Sequence, residues 1–302
     1  MNKNDVIFQR QSETLRFKNG DMDFMLNWAI GIGQIIGLST AQVFHAVSGL
    51  KDGDARGWRS GFYRQAQVQG ACARQYADEG NTAAAGQAYL GAAYAIRAVL
   101  QYTSPSSSDF ALRISEMESA FAQGIHALGV PLRPIDVPFE DFSLCGYFLE
   151  HDAQPRPTVV MIGGGDTFRE DLFYFAGYPG WMRGYNVIMV DLPGQGKLPA
   201  CGAHFRPDMA APIHAILDWL QANAALPPQQ IALYGVSGGG YFSALAAHDP
   251  RVKAWIAATP IYDIGEVFRH EAGGALKTPG WLLNTAMRVI GSLNGERTDQ
   301  SR

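Results

Sequence analysis

The sequence predicts an α/β protein, a mostly parallel sheet preceded by a helical domain. Small and apolar residues recur at steps of three or four over roughly the first 130 residues. After Pro131-Leu132-Arg133-Pro134 the period drops to two. Short apolar runs bounded by Gly and Pro then alternate with helical stretches, which is the pattern of buried strands covered by helices.

In the helical part, one face runs through Phe62, Ala66, Gly70, Ala73 and Ala77, and a second through Ala84, Ala88, Ala92, Ala95 and Val99. The turn Asp78-Glu79-Gly80-Asn81 separates them, with Gly and Asn where a helix break needs left-handed geometry. The cluster Ser104-Pro105-Ser106-Ser107-Ser108-Asp109 is a loop that can cap a further helix over Phe110 to Leu128. Gly31-Ile-Gly33-Gln-Ile-Ile-Gly37 imitates a dinucleotide fingerprint, but its spacing is too long and no strand precedes it, so a helix-packing patch is expected. Trp28, Phe44, Trp58 and Phe62 are expected to pack helices together, the alternative being a substrate pocket.

Beyond residue 131, strands are predicted over Ile135 to Phe139 and Phe142 to Leu149, joined tightly at Glu140-Asp141. Thr158 to Ile162, Asn186 to Val190, Ile231 to Tyr234 and Ala254 to Ala258 follow as short buried strands. Helices are expected between them over Arg169 to Phe175, Ala210 to Ala222 and Gly239 to His248.

Composition narrows the function. Apolar residues make up 47% and charged residues 17%, which is globular rather than disordered. A net charge of -4 and the lack of a Lys/Arg run argue against nucleic acid and against an acidic membrane surface. Met1 to Asp21 lacks the apolar core of a secretory signal. Phe24 to Leu38, with Asn27 and Gln34, is too short and polar to span a bilayer. Cys72, Cys145 and Cys201 fit neither a disulfide framework nor a metal spacing. The expectation is a cytoplasmic enzyme with a small-molecule substrate, no metal and no cofactor.

Chemistry concentrates at Gly235-Val236-Ser237-Gly238-Gly239, between an apolar strand and a helix. A serine hydroxyl is a poor nucleophile unless it is held in the open beside a base. A sharp strand-to-helix turn with small residues two before and two after the serine exposes it. Gly163-Gly164-Gly165-Asp166 directly follows the strand ending at Ile162. An oxyanion hole takes one N–H from such a loop and one from the residue after the nucleophile, here Gly165 and Gly238. The alternatives are a plain tight turn or a phosphate cradle, but the Lys-Ser/Thr of a phosphate loop is absent. Asp191-Leu-Pro193-Gly194-Gln195-Gly196 by itself is a turn explained by Pro and Gly.

Taken in order, Gly163-Gly164-Gly165-Asp166-Thr167, Arg183-Gly184-Tyr185-Asn186-Val187, Asp191-x-Pro193-Gly194-Gln195-Gly196, Gly235-x-Ser237-x-Gly239-Gly240-Tyr241 and Asp249-Pro250-Arg251-Val252 carry a resemblance. From about Trp58 to Asp263 the chain resembles the α/β-hydrolases with an N-terminal helical extension. These include the fermentation-respiration-switch type, the 2,6-dihydroxypseudooxynicotine hydrolases and the fungal pigment hydrolases that shorten polyketides. The resemblance implies an α/β-hydrolase sheet over residues 132–302 after a helical domain over residues 1–131. It also implies a Ser–Asp–His hydrolase of an ester, or of a carbon–carbon bond next to a ketone.

Such a hydrolase has two more strands after Ala254 to Ala258, carrying the acid and the histidine. Here 44 residues remain after Ala258, and they read as loop and helix, so the sheet is expected to be incomplete after its sixth strand. Asp263 follows that strand, and His270 is the one histidine after it. Asp263 is therefore the candidate acid, against the bland reading of a helix cap, and no histidine has the spacing of the family's base. An exposed apolar edge at the sixth strand invites pairing, so a homodimer covering it, a truncated product and an inactive binding module all fit.

Overall fold

A computed structural model describes residues 13–151, 155–224 and 230–258, together with Ile261 and Asp263. The chain divides into two compact units, Met1–Val130 and Pro131–Arg302.

The first unit consists of helices α1 (Gly20–Ile36), α2 (Thr40–Ala46), α3 (Ala55–Asp78), α4 (Thr82–Gln101) and α5 (Ser108–Ala127). Capping side chains start them where the sequence changes character. Asn19 accepts from Met22 N–H, Asp54 from Gly57 N–H and Asn81 from Ala84 N–H, while Ser39 and Gln42 form a reciprocal capping box. The predicted turn separates α3 from α4, with Gly80 at φ 75°. Every residue from Leu90 to Leu100 of α4 is buried, so this alanine-rich helix is the spine of the unit. Trp58 and Phe62 lie fully buried with ring centroids 4.7 Å apart, and Trp58 Nε1 donates to Ala98 O at 3.0 Å. Trp28 packs on Tyr94 at 5.2 Å, whereas Phe44 is 40% exposed. Three of the four aromatics thus pack helices, and Phe44 faces solvent. The Gly31 to Gly37 segment is the end of α1 and its left-handed cap. Among the described residues no helix is long and apolar enough to cross a membrane.

Among the described residues the second unit is built on a six-stranded sheet of order β1-β2-β4-β3-β5-β6. Its strands are β1 (Leu132–Phe139), β2 (Phe142–Leu149), β3 (Thr158–Ile162), β4 (Asn186–Val190), β5 (Ile231–Val236) and β6 (Val252–Ala258). β1 and β2 form a hairpin turning at Glu140-Asp141, and β2 runs antiparallel to β4. β4, β3, β5 and β6 are mutually parallel. All of β4 is buried, as expected for a strand covered on both faces. Its Ile188 and Val190 join the core cluster with Ile213, Ile216, Leu217 and Leu220 of α8 (Ala210–Asn223). Because side chains alternate along a strand, Val187 and Met189 face the other way. There they meet Gly180 and Gly177 of the segment that follows β3.

That segment differs from the single helix expected over Arg169 to Phe175. A turn of α-helix, α6 (Arg169–Leu172), passes into a π-helix over Phe173–Gly177 and then into α7 (Tyr178–Trp181). Pro179 and the close contact of Gly177 with Met189 give a physical reason for the wider turn: the chain must keep both its helical path and its seat on β4.

Among the described residues β6 is the sheet's far edge, and its Trp255 and Ile256 are 45% and 48% exposed. Arg251 fixes its entry with a bidentate pair to Asp249 (2.8 and 2.6 Å) and a bond to Gln221 of α8 at 3.0 Å. The hydrogen bonds from Arg251 hold the Asp249 carboxyl at about 2, below the usual carboxylate range.

Candidate active site

β5 runs straight into Ser237, and helix α9 (Gly238–Ala246) begins at the next residue. The change of direction occurs within one residue, which puts Ser237 at φ 55°, ψ -123°. Besides Glu140 in the β1–β2 turn, it is the only non-glycine with positive φ among the described residues. Such a conformation costs on the order of 1–3 kcal/mol and persists only where the surroundings over-determine it. They do so here: Ser237 N–H donates to Ala258 O at the end of β6, and Gly240 N–H donates to Ser237 O, both at 2.9 Å.

The flanking glycines are required by space. A Cβ on Gly235 would stand 2.2 Å from Gly239 O, and one on Gly239 would stand 2.2 Å from Ile162 O and 2.5 Å from Gly163 O. Both contacts are to backbone, which has no rotamer to give way. The elbow therefore presses directly on the loop leaving β3.

That loop brings Gly164 against the serine: a Cβ on Gly164 would lie 2.9 Å from Ser237 Cβ and 3.2 Å from Ser237 Oγ. Gly164 N–H is already committed to Thr167 Oγ1 at 2.9 Å. Gly165 N and Phe242 Cε2 are the nearest atoms, both at 3.6 Å, to where a Cβ on Gly238 would sit. Gly238 opens α9, so its N–H belongs to the first turn, which lacks intrahelical acceptors and carries the positive end of the helix dipole. Gly165 and Gly238 thus lie close together, Gly238 next to Ser237 in the chain and Gly165 next to the Gly164 that abuts it.

Asp263 is exposed. His270 and most of the loop-and-helix stretch expected after Ala258 lie outside the described residues. His151 stacks on Trp181 with centroids 4.9 Å apart, and its Nε2 contacts Trp181 O at 2.9 Å. His214 Nε2 lies 3.8 Å from Asp249 Oδ2. A groove of about 630 Å³ is lined by Glu140, Phe142, Cys201, His204, Arg206 and Asp208 among others, and contains no residue of the elbow. Among the described residues no group of three or more His, Cys, Asp or Glu is arranged to hold a metal.

The structure adds a buried polar group that periodicity did not reveal. Arg169, Glu170, Asp171 and Asp191 are all buried. Tyr147 Oη donates to Glu170 Oε1 at 2.8 Å, Arg169 Nε donates to the same oxygen at 3.1 Å, and Asp171 Oδ2 accepts from Phe168 N–H at 3.0 Å. Three charged residues opening a helix ordinarily sit in solvent, so the sequence carries no signal of this burial. Burial drives the Asp191 carboxyl well above its usual range; Arg169 opposes this, and Glu170 and Asp171 reinforce it. The folded state therefore holds a proton that the unfolded chain releases near pH 4. The resulting stabilisation is complete below that pH and is lost as pH rises through the folded value. Asp191→Asn, neutral at every pH, is expected to gain stability relative to the parent as pH increases. Urea midpoints at intervals from pH 5 to 9 measure this, and parallel curves for the two proteins would contradict it.

Gln195 is the other addition. It is 2% exposed, and its side-chain amide donates to Gly163 O at 2.6 Å and Gly164 O at 2.8 Å. Its only advance sign was a glutamine set between two glycines in an otherwise ordinary turn.

Comparison with known proteins bears on the family and the fold. The family model described as X-Pro dipeptidyl-peptidase (S15 family) matches residues 150–301. The chain is 32% identical to the hydrolyase ccsE of Aspergillus clavatus over 82% of its own length and 62% of that protein's. It is 30% identical to the hydrolase ORFZ of Pyricularia oryzae over 91% of its length and 70% of that protein's. It thus spans less than two thirds of the first relative. Among solved structures, the 2,6-dihydroxy-pseudo-oxynicotine hydrolase superposes with a TM-score of 0.68 at 19% identity, covering 87% of this chain and 75% of that one, a likeness of fold. Since the family model takes in half the chain and a relative matches most of both lengths, the protein belongs to the X-Pro dipeptidyl-peptidase (S15) family and has the α/β-hydrolase fold.

Proposed function

We propose that the protein is a serine hydrolase in which Ser237 attacks the carbonyl of a small-molecule ester, or of a ketone next to the carbon–carbon bond to be cleaved. Gly165 and Gly238 donate to the oxyanion, and Asp263 is the candidate acid. The observation that carries the reading is the backbone of Ser237: a strained, positive-φ serine set between a strand and a helix N-terminus and pressed against Gly164. Strain of this kind is retained where a side chain must be presented rather than packed.

A hydroxyl in this position still needs a base. Incubating the full chain with a fluorophosphonate probe tests for one. Attack by Oγ on phosphorus expels fluoride and leaves a covalent adduct, read by mass spectrometry at Ser237. Labelling is expected, and Ser237→Ala is expected to abolish it. A folded chain that takes no label would overturn the reading in favour of a binding module with an inactive elbow.

A further inference from the structure

We propose that Gln195 is a positioning residue that sets the orientation of the Gly164–Gly165 peptide, and thereby aims the Gly165 N–H at the oxyanion. The inference rests on the serine-hydrolase reading and assigns a role to the Asp191-x-Pro193-Gly194-Gln195-Gly196 turn, which local turn chemistry leaves without one.

Gln195 is the last residue of a tight turn. Its N–H donates to Leu192 O at 2.9 Å, with Pro193 and Gly194 at the centre and Gly194 at φ 93°. Proline followed by a positive-φ glycine is the demand of a type II turn. The turn folds the side chain back, so that Gln195 Oε1 accepts from Leu192 N–H at 2.8 Å. The amide's orientation is thereby fixed, and both glycyl carbonyls converge on its Nε2. A primary amide has two N–H donors and a carbonyl acceptor, and all are engaged.

The consequence follows from peptide geometry. No cis peptide occurs among the described residues, and in a trans peptide C=O and N–H point in opposite directions. Holding Gly163 O on Gln195 turns Gly164 N–H the other way, where it meets Thr167 Oγ1. Holding Gly164 O on Gln195 likewise turns Gly165 N–H away from Gln195. No heavy atom comes within 4 Å of where a Cβ on Gly165 would stand, so that side of the loop is open. Three successive glycines impose little torsional preference of their own. Released from Gln195, the Gly164–Gly165 peptide can rotate and offer an oxygen where a donor is needed.

The test uses two variants of the full chain. Gln195→Met keeps the length and removes the donors. Gln195→Glu keeps the acceptor for Leu192 N–H and regains a donor only when protonated. With p-nitrophenyl acetate as the probe ester, Gln195→Met is expected to lose on the order of 10²-fold in kcat, comparable to removing one oxyanion donor, with KM within threefold of the parent. Gln195→Glu is expected to recover rate as pH falls, a dependence absent from the methionine variant. An unchanged kcat, or a loss matched by the unfolded fraction at the assay temperature, would overturn the proposal. Should the parent itself fail to label or turn over, the serine-hydrolase reading fails, and a crystal structure of Gln195→Met still decides the clamp. A Gly164–Gly165 peptide that keeps its orientation refutes the clamp, and a rotated one supports it.

Discussion

Gly239→Ala is expected to destabilise the hydrolase unit by about 3 kcal/mol or more, beyond the usual overpacking range, while Gly238→Ala next to it is expected to be nearly silent in stability. The reason lies in which atoms the new methyl meets. At Gly239 they are the carbonyl oxygens of Ile162 and Gly163, at 2.2 and 2.5 Å. Moving them breaks the end of β3 and pushes the Gly163–Gly165 loop off the elbow. At Gly238 the nearest atom is at 3.6 Å, an ordinary contact. Urea unfolding of the two variants measures the contrast, and labelling at Ser237 should fall with Gly239→Ala even in the folded fraction. A Gly239→Ala protein within 1 kcal/mol of the parent would show that the loop and elbow are not held as close as described.

Replacing Ser237 is expected to separate strain from chemistry. Both Ser237→Ala and Ser237→Gly remove the hydroxyl, and both should lose activity by several orders of magnitude, as nucleophile deletions do. Their stabilities should differ. Alanine keeps the penalty of φ 55°, ψ -123°, whereas glycine adopts such angles freely. Relief of strain of roughly 1–3 kcal/mol, less the entropy glycine loses on folding, leaves Ser237→Gly about 1 kcal/mol more stable than the parent. Thermal or urea unfolding of the three proteins reads this directly. If glycine gives no gain over alanine, the elbow is relaxed and the positive φ is not evidence of a presented nucleophile.

The strands and the elbow were legible because each is a local demand on residue type. β2, β3 and β4 begin and end as the alternation and the Gly/Pro boundaries indicate, and the Asp78–Asn81 turn divides α3 from α4 as expected. β6 begins two residues before its apolar run because Val252 still pairs with Ile231. That pairing depends on a neighbouring strand and not on hydrophobicity. The helix after β3 was misjudged for a related reason. A period of 3.6 indicates a helix over Arg169 to Phe175, but the packing on Val187 and Met189 dictates a π-turn and carries the helical path on to Trp181.

By itself, then, the sequence determined the alternation of strand and helix, the order of the glycine-rich turns and the identity of the serine at the elbow. These follow from backbone torsions and side-chain volume, which each residue carries with it. Only the tertiary structure decided that Gln195 reaches Gly163 and Gly164, and that Asp191 is buried beside Arg169 and Glu170. Those contacts exist because β4 and β3 lie side by side in the sheet, which brings the loops at their ends together. Residues far apart in sequence then share one dry site, where an unpaired donor or an extra proton has its largest energetic effect.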